Sequence, residues 1–317
     1  MSLRIIFMGT PQFAVPSLKK LHEAGYNIAA VVTAPDKPAG RGLQLTESAV
    51  KKYAAANNLK TLQPEKLKDR GFIEELKSLK ADVQVVVAFR MLPEMVWNMP
   101  PLGTINLHAS LLPQYRGAAP INWAIINGEK QTGVTTFKLK QEIDTGNILL
   151  QRKIEIDENE TAGTLHDKMM ETGAELLLQT IIDMEKGGIE EVVQPDILQP
   201  IPCKSDLTPA TLRQAPKIFT DTCEIKWNKR VEEVYNLIRG LSPYPTAFTF
   251  LNGKKLKIFK AEKEFNNKVP EPGEMVTDHK SYLKFSASDG FISLKEIQLE
   301  GKKKMPVEDF LRGWRPD

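Results

Sequence analysis

Three polar residues, Asn106, His108 and Asp144, have the types and spacing that could catalyse acyl transfer. Asn106 and His108 are two residues apart, so on a β-strand both side chains project from one face and can converge on one carbonyl oxygen. Donors fixed in this way stabilise the negative oxygen of a tetrahedral intermediate by about 3–4 kcal/mol each. These residues could therefore form the catalytic centre of an acyl-transfer enzyme, although each of them alone is also typical of an ordinary turn.

Asp144 follows a later apolar run, in the sequence Ile143-Asp144-Thr145-Gly146. A carboxylate beside an imidazole orients the ring and favours its protonated form, so we predict this role for Asp144 toward His108. The proton that leaves an attacking amine could pass to either residue or to water, and the sequence leaves these routes open. In a second interpretation, Ser110 is the nucleophile of a triad with the same His and Asp, but no G-x-S-x-G motif surrounds it.

The run of residues 106–121 carries a family resemblance. It resembles the signature of the folate-dependent formyltransferases, which use 10-formyltetrahydrofolate. Within that family the chain is most similar to the methionyl-tRNA formyltransferases, over residues 4 to about 312. The resemblance implies catalytic roles for the three residues named above. It also implies a Rossmann-like catalytic domain and a smaller barrel-like C-terminal domain.

The expected reaction follows from this resemblance. It is transfer of a formyl group from 10-formyltetrahydrofolate to the α-amino group of methionine on initiator tRNA, in support of translation initiation. An α-amino group loses its proton near pH ~7.7–8.0, so it is a good nucleophile at neutral pH. Three alternatives stay open: formylation of a nucleotide-linked amino sugar, hydrolysis of formyl-folate, and non-catalytic binding of RNA or folate.

A folate pocket is implied at two segments that border the catalytic cleft in relatives. Apolar walls with backbone hydrogen bonds suit a flat pterin ring. Both segments depart from the family pattern. Residues 88–93 are one residue shorter than usual and have Arg90 where glycine is usual. Residues 139–143 lack a glycine that is usual in the family. We expect altered folate affinity before lost chemistry, and Arg90 could pair with a carboxylate of the loop or of folate. The predicted folate contacts are Phe89, Arg90, Met91, Leu92, Ser110, Leu111, Leu112, Pro113, Lys140, Gln141, Glu142 and Ile143.

Basic residues in two regions are predicted to bind tRNA. Residues 35–45 combine prolines, glycines and two cations in a long loop, and they resemble the insertion by which methionyl-tRNA formyltransferases reach the acceptor end. From residue 210 onward the chain has 20 Lys and Arg residues and 15 Asp and Glu residues, so this part is basic. The resemblance implies that this domain holds the acceptor arm of the tRNA. The predicted contacts are Lys37, Arg41, Lys254, Lys255, Lys257, Lys302, Lys303 and Lys304.

The first strand–helix turn contains Thr10 and Phe13. This turn borders the active site in the family, so the resemblance implies that both residues lie at the methionine end of the acceptor. A buried aromatic is an equally good interpretation of Phe13. The turn has one glycine and lacks G-x-G-x-x-G, so it does not encode the pyrophosphate site of NAD enzymes.

Composition agrees with a globular enzyme. The chain has 317 residues, of which 41% are hydrophobic and 26% charged, with a formal net charge of +3. No apolar run approaches the roughly 20 residues of a membrane-spanning helix, so we expect a cytoplasmic protein without a membrane partner. Two cysteines and four histidines have no metal-ligand spacing, so we predict no metal. We also expect a monomer.

Hydrophobic patterns indicate two kinds of domain. Strand patterns at residues 4–8, 28–33, 83–88, 104–107 and 134–139 alternate with helical patterns, which predicts an α/β fold with a mostly parallel sheet. A proline-rich stretch without periodicity follows, and then several β-like runs predict a smaller β domain. The family resemblance implies that this domain is an OB-like β-barrel. The predicted domains are 1–188 (catalytic), 189–205 (linker) and 206–317 (tRNA-binding).

Overall fold

The computed structural model describes residues 2–39, 44–194, 212–266 and 268–314. The chain forms two compact units, and two short segments that precede residue 166 belong to the second unit. The first unit is Met1–Gly117, Gly133–Ile154 and His166–Gln214, and the second is Ala118–Thr132, Glu155–Leu165 and Ala215–Asp317. The domain boundaries expected from sequence stay a prediction, because residues 195–211 lie outside the described part.

Short strands and helices alternate through the first part of the chain. In chain order they are β1 (Arg4–Gly9), α1 (Val15–Glu23), β2 (Asn27–Val32), β3 (Lys37–Ala39), β4 (Gln44–Thr46), α2 (Ala49–Ala56), β5 (Thr61–Leu62), α3 (Arg70–Ser78), β6 (Val83–Val87), α4 (Glu94–Trp97), β7 (Thr104–His108), β8 (Arg116–Gly117), α5 (Pro120–Ile126), β9 (Gln131–Lys138), β10 (Ile148–Glu155) and α6 (Ala162–Glu185).

A seven-stranded sheet organises the first unit, with strand order β10-β9-β7-β6-β1-β2-β5. The strands from β7 to β5 are parallel, whereas β9 runs antiparallel to β7. All five residues of β6 are buried, as expected for a central strand with both faces covered. The predicted mostly parallel sheet is confirmed. Strand β10 was not predicted, because charged residues at its exposed positions obscure the apolar pattern.

Side-chain caps fix where the helices of this unit begin. Ser48 accepts a hydrogen bond from the backbone N–H of Lys51 at the start of α2, at 3.0 Å. Asp69 accepts one from Phe72 at the start of α3, also at 3.0 Å. Such caps satisfy donors that the first helical turn leaves unpaired.

The second unit contains a curled antiparallel sheet. Its elements after β11 (Gln214–Ala215) are α7 (Val231–Leu241), β12 (Ala247–Leu251), β13 (Lys254–Phe265), β14 (Met275–Thr277), β15 (Leu283–Ala287), β16 (Gly290–Leu299), β17 (Met305–Pro306) and α8 (Val307–Gly313).

The strand order of that sheet is β12-β13-β16-β15-β14, and β17 pairs with β16. The register between β13 and β16 shifts around Lys260, and such irregularities bend a sheet. Buried residues of α7, including Val234 and Ile238, belong to the same apolar core as the strands. The predicted combination of a Rossmann-like domain and a smaller barrel-like domain is confirmed.

Among the residues that the structure describes, no helix is both long and apolar enough to cross a lipid bilayer.

Candidate active site

Strand β7 carries two of the three predicted catalytic residues, at its carboxyl end. In the sheet register, Asn106 lies opposite Val86 of β6 and Phe137 of β9. Asn106 and His108 are two positions apart and therefore share one face of the strand. His108 is buried, and Asn106 is partly exposed. The Asn106 amide forms no hydrogen bond with any described residue, so its N–H groups are available to a substrate oxygen.

The two nitrogens of His108 face different groups. Nε2 lies 2.9 Å from the carbonyl oxygen of Tyr115, and a carbonyl can only accept, so Nε2 donates. Nδ1 lies 3.8 Å from Oδ2 of Asp144. That separation is longer than a hydrogen bond, but a shift of less than about 1 Å would close it. The structure thus places the imidazole and the carboxylate near each other, without a direct bond between them.

Asp144 lies in the turn that follows β9, with a left-handed φ of 55°. Aspartate tolerates this conformation better than most residues. Its Oδ2 accepts a hydrogen bond from the backbone N–H of Gly117 at 2.9 Å, and its side chain is 12% exposed. Oδ1 accepts no hydrogen bond from the described residues, which leaves it open to a ligand.

Arg116 and Gln194 are two buried residues at this site that the sequence reasoning missed. They hydrogen-bond to each other, and Gln194 also bonds to the turn that carries Asp144. Gln194 belongs to the stretch predicted as a linker. No pattern along the sequence marks it, because its partners are 50 and 78 positions away.

Comparison with known proteins identifies the family. Residues 3–181 match the model of the formyl transferase family, and residues 217–315 match the model of the formyl transferase C-terminal domain. The chain belongs to the formyl transferase family. It is 53% identical over 319 residues to a methionyl-tRNA formyltransferase of Parabacteroides distasonis, covering 99% of this chain and 96% of the relative. A methionyl-tRNA formyltransferase of Flavobacterium johnsoniae is 49% identical, with coverage of 98% and 96%.

Solved structures share the fold of this formyltransferase at low sequence identity. One is HypX from Aquifex aeolicus in complex with tetrahydrofolic acid, with a TM-score of 0.66 and 18% identity over 100% of this chain. The chain spans 49% of the length of that protein. Another is an N-formyltransferase from Helicobacter canadensis in complex with folinic acid and dTDP-3-aminofucose, with a TM-score of 0.67 and 21% identity, covering 96% of this chain and all of the other.

The Ser110 hydroxyl of this formyltransferase does not face His108. It is buried and donates to the carbonyl oxygen of Gln114 at 2.6 Å. The alternative nucleophilic triad is therefore not formed. The neighbouring Leu112 is also buried, and its carbonyl accepts from Gln151 at 2.8 Å, whereas Leu111 and Pro113 are partly exposed.

The first predicted folate segment presents a mixed surface. Met91 is 75% exposed, Leu92 is buried and Phe89 is partly exposed. The Arg90 guanidinium donates to the carbonyl oxygens of Pro64 and Glu65, at 2.8 and 3.0 Å. It lies 5.3 Å from the centre of the Phe89 ring and forms no ion pair with any described residue. The carboxylate pairing that we considered for Arg90 within the loop is therefore not formed.

The second predicted folate segment is exposed. Ile143 is 60% exposed, and Gln141 and Glu142 are exposed as well. Lys140 donates to the Asn147 side chain at 2.8 Å, which joins the two ends of this loop. The folate contacts assigned to both segments stay predictions.

Thr10 and Phe13 lie at the end of β1 and in the 3₁₀ turn that follows it. Phe13 is 7% exposed and packs edge-to-face on His166, with ring centres 5.2 Å apart. Thr10 is partly exposed. Their contact with the methionine end stays a prediction.

The segment predicted as a long tRNA-binding loop has a short β-strand toward each of its ends. Strand β3 pairs antiparallel with β4, and Lys37 lies opposite Thr46. Lys37 is exposed, whereas Arg41 lies outside the described residues. Just before the ribbon, Asp36 accepts hydrogen bonds from Lys51 and, at 2.8 Å, from Gln63. These bonds, with the Lys51 bond largest, hold the pKa of the Asp36 carboxyl below its usual value.

The C-terminal lysines come together at one end of the curled sheet. Lys255 and Glu300 are joined by two hydrogen bonds that involve the Lys255 main chain, at 2.9 and 3.1 Å, so the 302–304 run lies beside the start of β13. Lys304 pairs with Glu296 at 2.7 Å. The lysines of this cluster that form no ion pair with a described residue are Lys254, Lys255, Lys257, Lys302 and Lys303.

No group of three or more His, Cys, Asp or Glu side chains with metal-binding geometry occurs within the part of the chain that the structure describes. The predicted absence of a metal stays a prediction.

Proposed function

We propose that this formyltransferase transfers the formyl group of 10-formyltetrahydrofolate to the α-amino group of methionine esterified to initiator tRNA. The methionyl-tRNA formyltransferases of Parabacteroides distasonis and Bacteroides thetaiotaomicron, 53% and 50% identical over 99% of the chain, support this acceptor. The HypX structure contains tetrahydrofolic acid, which supports a folate-derived donor. The product would be formyl-methionyl-tRNA for translation initiation.

The observation that carries the proposed chemistry is the placement of three polar groups at the end of β7. The unbonded amide of Asn106 shares a face with His108, whose Nδ1 points toward the Asp144 carboxylate. The amide N–H of Asn106 can donate to an oxygen that becomes negative, and His108 can do so from Nδ1 when that nitrogen carries a proton, because Nε2 is bonded to the Tyr115 carbonyl. We assign these two side chains to the formyl oxygen of the tetrahedral intermediate.

The reaction exchanges one C–N bond for another. The lone pair of the α-amino nitrogen forms a bond to the formyl carbon, and the C=O electrons move onto the oxygen. When the carbonyl re-forms, the bond from the formyl carbon to N10 of the folate breaks. The amine loses one proton and N10 gains one, so no redox partner or metal is required to balance the step.

The proton path in this proposal runs through one side of the imidazole. Nε2 of His108 already donates to the Tyr115 carbonyl, so Nδ1 is the atom that can exchange a proton with the reacting groups. Asp144 would steady the ring while it is protonated, and Oδ1 of Asp144 would accept from the incoming amine. Little base strength is needed, because an α-amino group has a pKa near ~7.7–8.0.

Binding of tRNA would use the two basic regions described above. The cluster at the start of β13 offers lysines that no described carboxylate neutralises, which suits contact with phosphates. Lys37 is exposed on the β3–β4 ribbon, and we assign it to contact with the acceptor end. The same role proposed for Arg41 rests on the family resemblance alone. Phosphate contacts give affinity and salt dependence, and discrimination among acceptors would come from the ribbon.

Release of tetrahydrofolate from 10-formyltetrahydrofolate tests this proposal. Charged initiator methionyl-tRNA, a nucleotide-linked amino sugar, or no acceptor would be supplied in parallel. We expect release only with the tRNA. Release with the sugar would assign the protein to sugar formylation, release without any acceptor would make it a formyl-folate hydrolase, and absence of release in all three would favour a non-catalytic protein.

The cytoplasmic location and the monomeric state also remain proposals. Light scattering coupled to size-exclusion chromatography measures the mass directly, and we expect the 35.6 kDa of one chain. A mass of twice that value would contradict the monomer.

A further inference from the structure

The side chain of Gln194 lies between the catalytic turn and the guanidinium of Arg116, although the sequence places it in a linker. It is 8% exposed. Its Oε1 accepts from Nε and Nη2 of Arg116, at 3.1 and 2.7 Å. Its Nε2 donates to the carbonyl oxygens of Asp144 and Gly146, at 3.0 and 2.7 Å.

These four bonds use the full hydrogen-bonding capacity of the amide. A guanidinium can only donate and a carbonyl can only accept, so the orientation of the Gln194 amide is unambiguous. The backbone near Gln194 is also fixed, because Val192 and Ile148 exchange two hydrogen bonds, at 2.8 and 2.9 Å. Gln194 is therefore a rigid bridge rather than part of a loose connection.

The bridge closes a ring of contacts around Asp144. Arg116 bonds to Gln194, Gln194 bonds to the Asp144 carbonyl, and the Asp144 carboxylate accepts from Gly117, the residue after Arg116. Asp144 has a φ of 55°, a conformation that costs energy in a residue other than glycine and persists only when neighbours enforce it. The ring supplies that enforcement and aims the carboxylate at Nδ1 of His108, 3.8 Å away.

We propose that Gln194 is a positioning residue for Asp144, so that a residue of the stretch predicted as a linker sets the geometry of the catalytic carboxylate. This inference rests on the catalytic role proposed for Asp144. Displacement of a catalytic group by about 1 Å can cost roughly 100-fold in rate. Loss of the two Nε2 donors should therefore lower kcat, while KM for folate and for tRNA changes little.

The Gln194→Glu variant separates the two halves of the bridge. A carboxylate keeps both acceptor contacts with Arg116, but it cannot donate to the carbonyls of Asp144 and Gly146. We expect kcat to fall by about 30–100-fold, with each KM within about threefold of the parent. Gln179→Glu makes the same change in charge on α6 and should leave kcat unchanged, because among the described residues the Gln179 amide bonds to Asp183 alone. If the Glu variant fails to fold, Gln194→Met removes the donors without adding charge.

Combination with catalytic variants distinguishes positioning from general destabilisation. If Gln194 acts through Asp144, adding Gln194→Glu to Asp144→Asn should not lower the residual single-turnover rate any further. Adding Gln194→Glu to Asn106→Ala should lower that rate by the same factor as in the parent enzyme. Equal losses in both backgrounds, or full activity of the Gln194 variants, would overturn the proposal. An active Asp144→Asn enzyme would instead refute the catalytic role of Asp144 itself.

Discussion

The Nε2 atom of His108 lies 2.9 Å from the backbone carbonyl oxygen of Tyr115. Tyr115 has a φ of 58°, and its own N–H donates to the carbonyl of Arg213 at 2.7 Å. Because a carbonyl can only accept, Nε2 keeps its proton in either charge state of the ring. Backbone atoms thus fix the tautomer of His108, and Nδ1 is left to face Asp144 and the reacting groups.

Replacement of Asp144 by asparagine should abolish most turnover. The amide keeps the shape of the side chain but lacks the negative charge that steadies a protonated His108, so we expect kcat to fall by about 10²–10⁴-fold. His108→Ala should have a similar effect. Affinity for tRNA should stay within about twofold, because neither residue belongs to the basic regions. Single-turnover formylation and filter binding measure the two quantities.

Asp167 provides a matched control, because its Oδ1 lies 3.0 Å from Nδ1 of His166 in an exposed His–Asp pair. Asp167→Asn should leave both kcat and affinity unchanged. A similar loss in both Asp variants would mean that the effect is not specific to the site.

Asn106→Ala should remove one donor to the oxyanion. The loss of such a donor costs about 10²–10³-fold in kcat elsewhere, and the donor acts mainly in the transition state, so KM should hardly change. Asn57→Ala is the control, because the Asn57 amide bonds to the Tyr53 carbonyl at 2.8 Å. This variant should lower stability and leave turnover unchanged. A rise in KM with unchanged kcat for Asn106→Ala would assign that side chain to ground-state binding instead.

The sequence predicts the main architecture because its signals there are local. Period-two spacing puts Asn106 and His108 on one face, and buried apolar runs such as that of β6 indicate a parallel sheet. The charged edge strand β10 and the short β3–β4 ribbon have no such pattern, so neither was predicted.

The contacts around Asp144 could not be predicted for a different reason. Gln194 follows Asp144 by 50 positions, and glutamine carries no spacing that predicts a partner. The hydrogen bonds of Arg90 to the carbonyls of Pro64 and Glu65 likewise depend on the folded backbone. Tertiary partners of single polar residues emerge only when the elements are packed.

Removal of unpaired lysines should weaken tRNA binding and reduce its dependence on salt. Lys254, Lys302 and Lys303 lie at one end of the curled sheet and form no ion pair with a described residue. Each lysine that contacts a phosphate should contribute about 1 to the slope of log K against log salt, so the triple glutamine variant should lower that slope by up to about 3. Titrations at several salt concentrations give the slope.

Lys295→Gln is the control for that series, because Lys295 is paired with Glu262 at 2.9 Å in the same sheet. For Lys295→Gln, the slope of log K for tRNA binding against log salt should equal that of the parent protein. An unchanged slope in the triple variant would show that tRNA contacts other residues.

Gly146→Ala should disturb the catalytic turn, since a Cβ at this position would lie 1.5 Å from the carbonyl oxygen of Lys138. Backbone atoms cannot move aside as a flexible side chain can, so we expect the free energy of unfolding to fall by about 1–3 kcal/mol. Turnover should fall with it, because Gly146 accepts one of the Gln194 bonds. A Cβ at Gly188 would meet no atom of the described residues within 4 Å, so Gly188→Ala should cost little. Equal stability of the two variants in urea would contradict this packing.

Acid should weaken the contact between β9 and the 189–194 stretch. The Glu191 carboxylate pairs with Lys138 at 2.5 Å and accepts from Asn147 at 2.9 Å. These bonds, with that of Lys138 largest, hold the pKa of Glu191 below its ordinary value of 4.5. A carboxyl whose pKa is lower in the folded protein than in the unfolded protein stabilises the fold. This stabilisation is complete at pH values above the unfolded-state pKa, and it is lost as pH falls through the folded-state pKa.

Glu191→Gln should therefore lower the free energy of unfolding at pH 7 by less than about 1 kcal/mol, since the pair is partly solvated. The difference from the parent should shrink as pH falls from 4.5 through the lower pKa of the folded carboxyl, because the parent side chain then becomes neutral as well. Urea unfolding at pH 7, 5 and 3.5 would measure both free energies. Glu74→Gln removes an exposed pair with Arg70 and should show little effect at any pH. A difference for Glu191→Gln that grows in acid would contradict the lowered pKa.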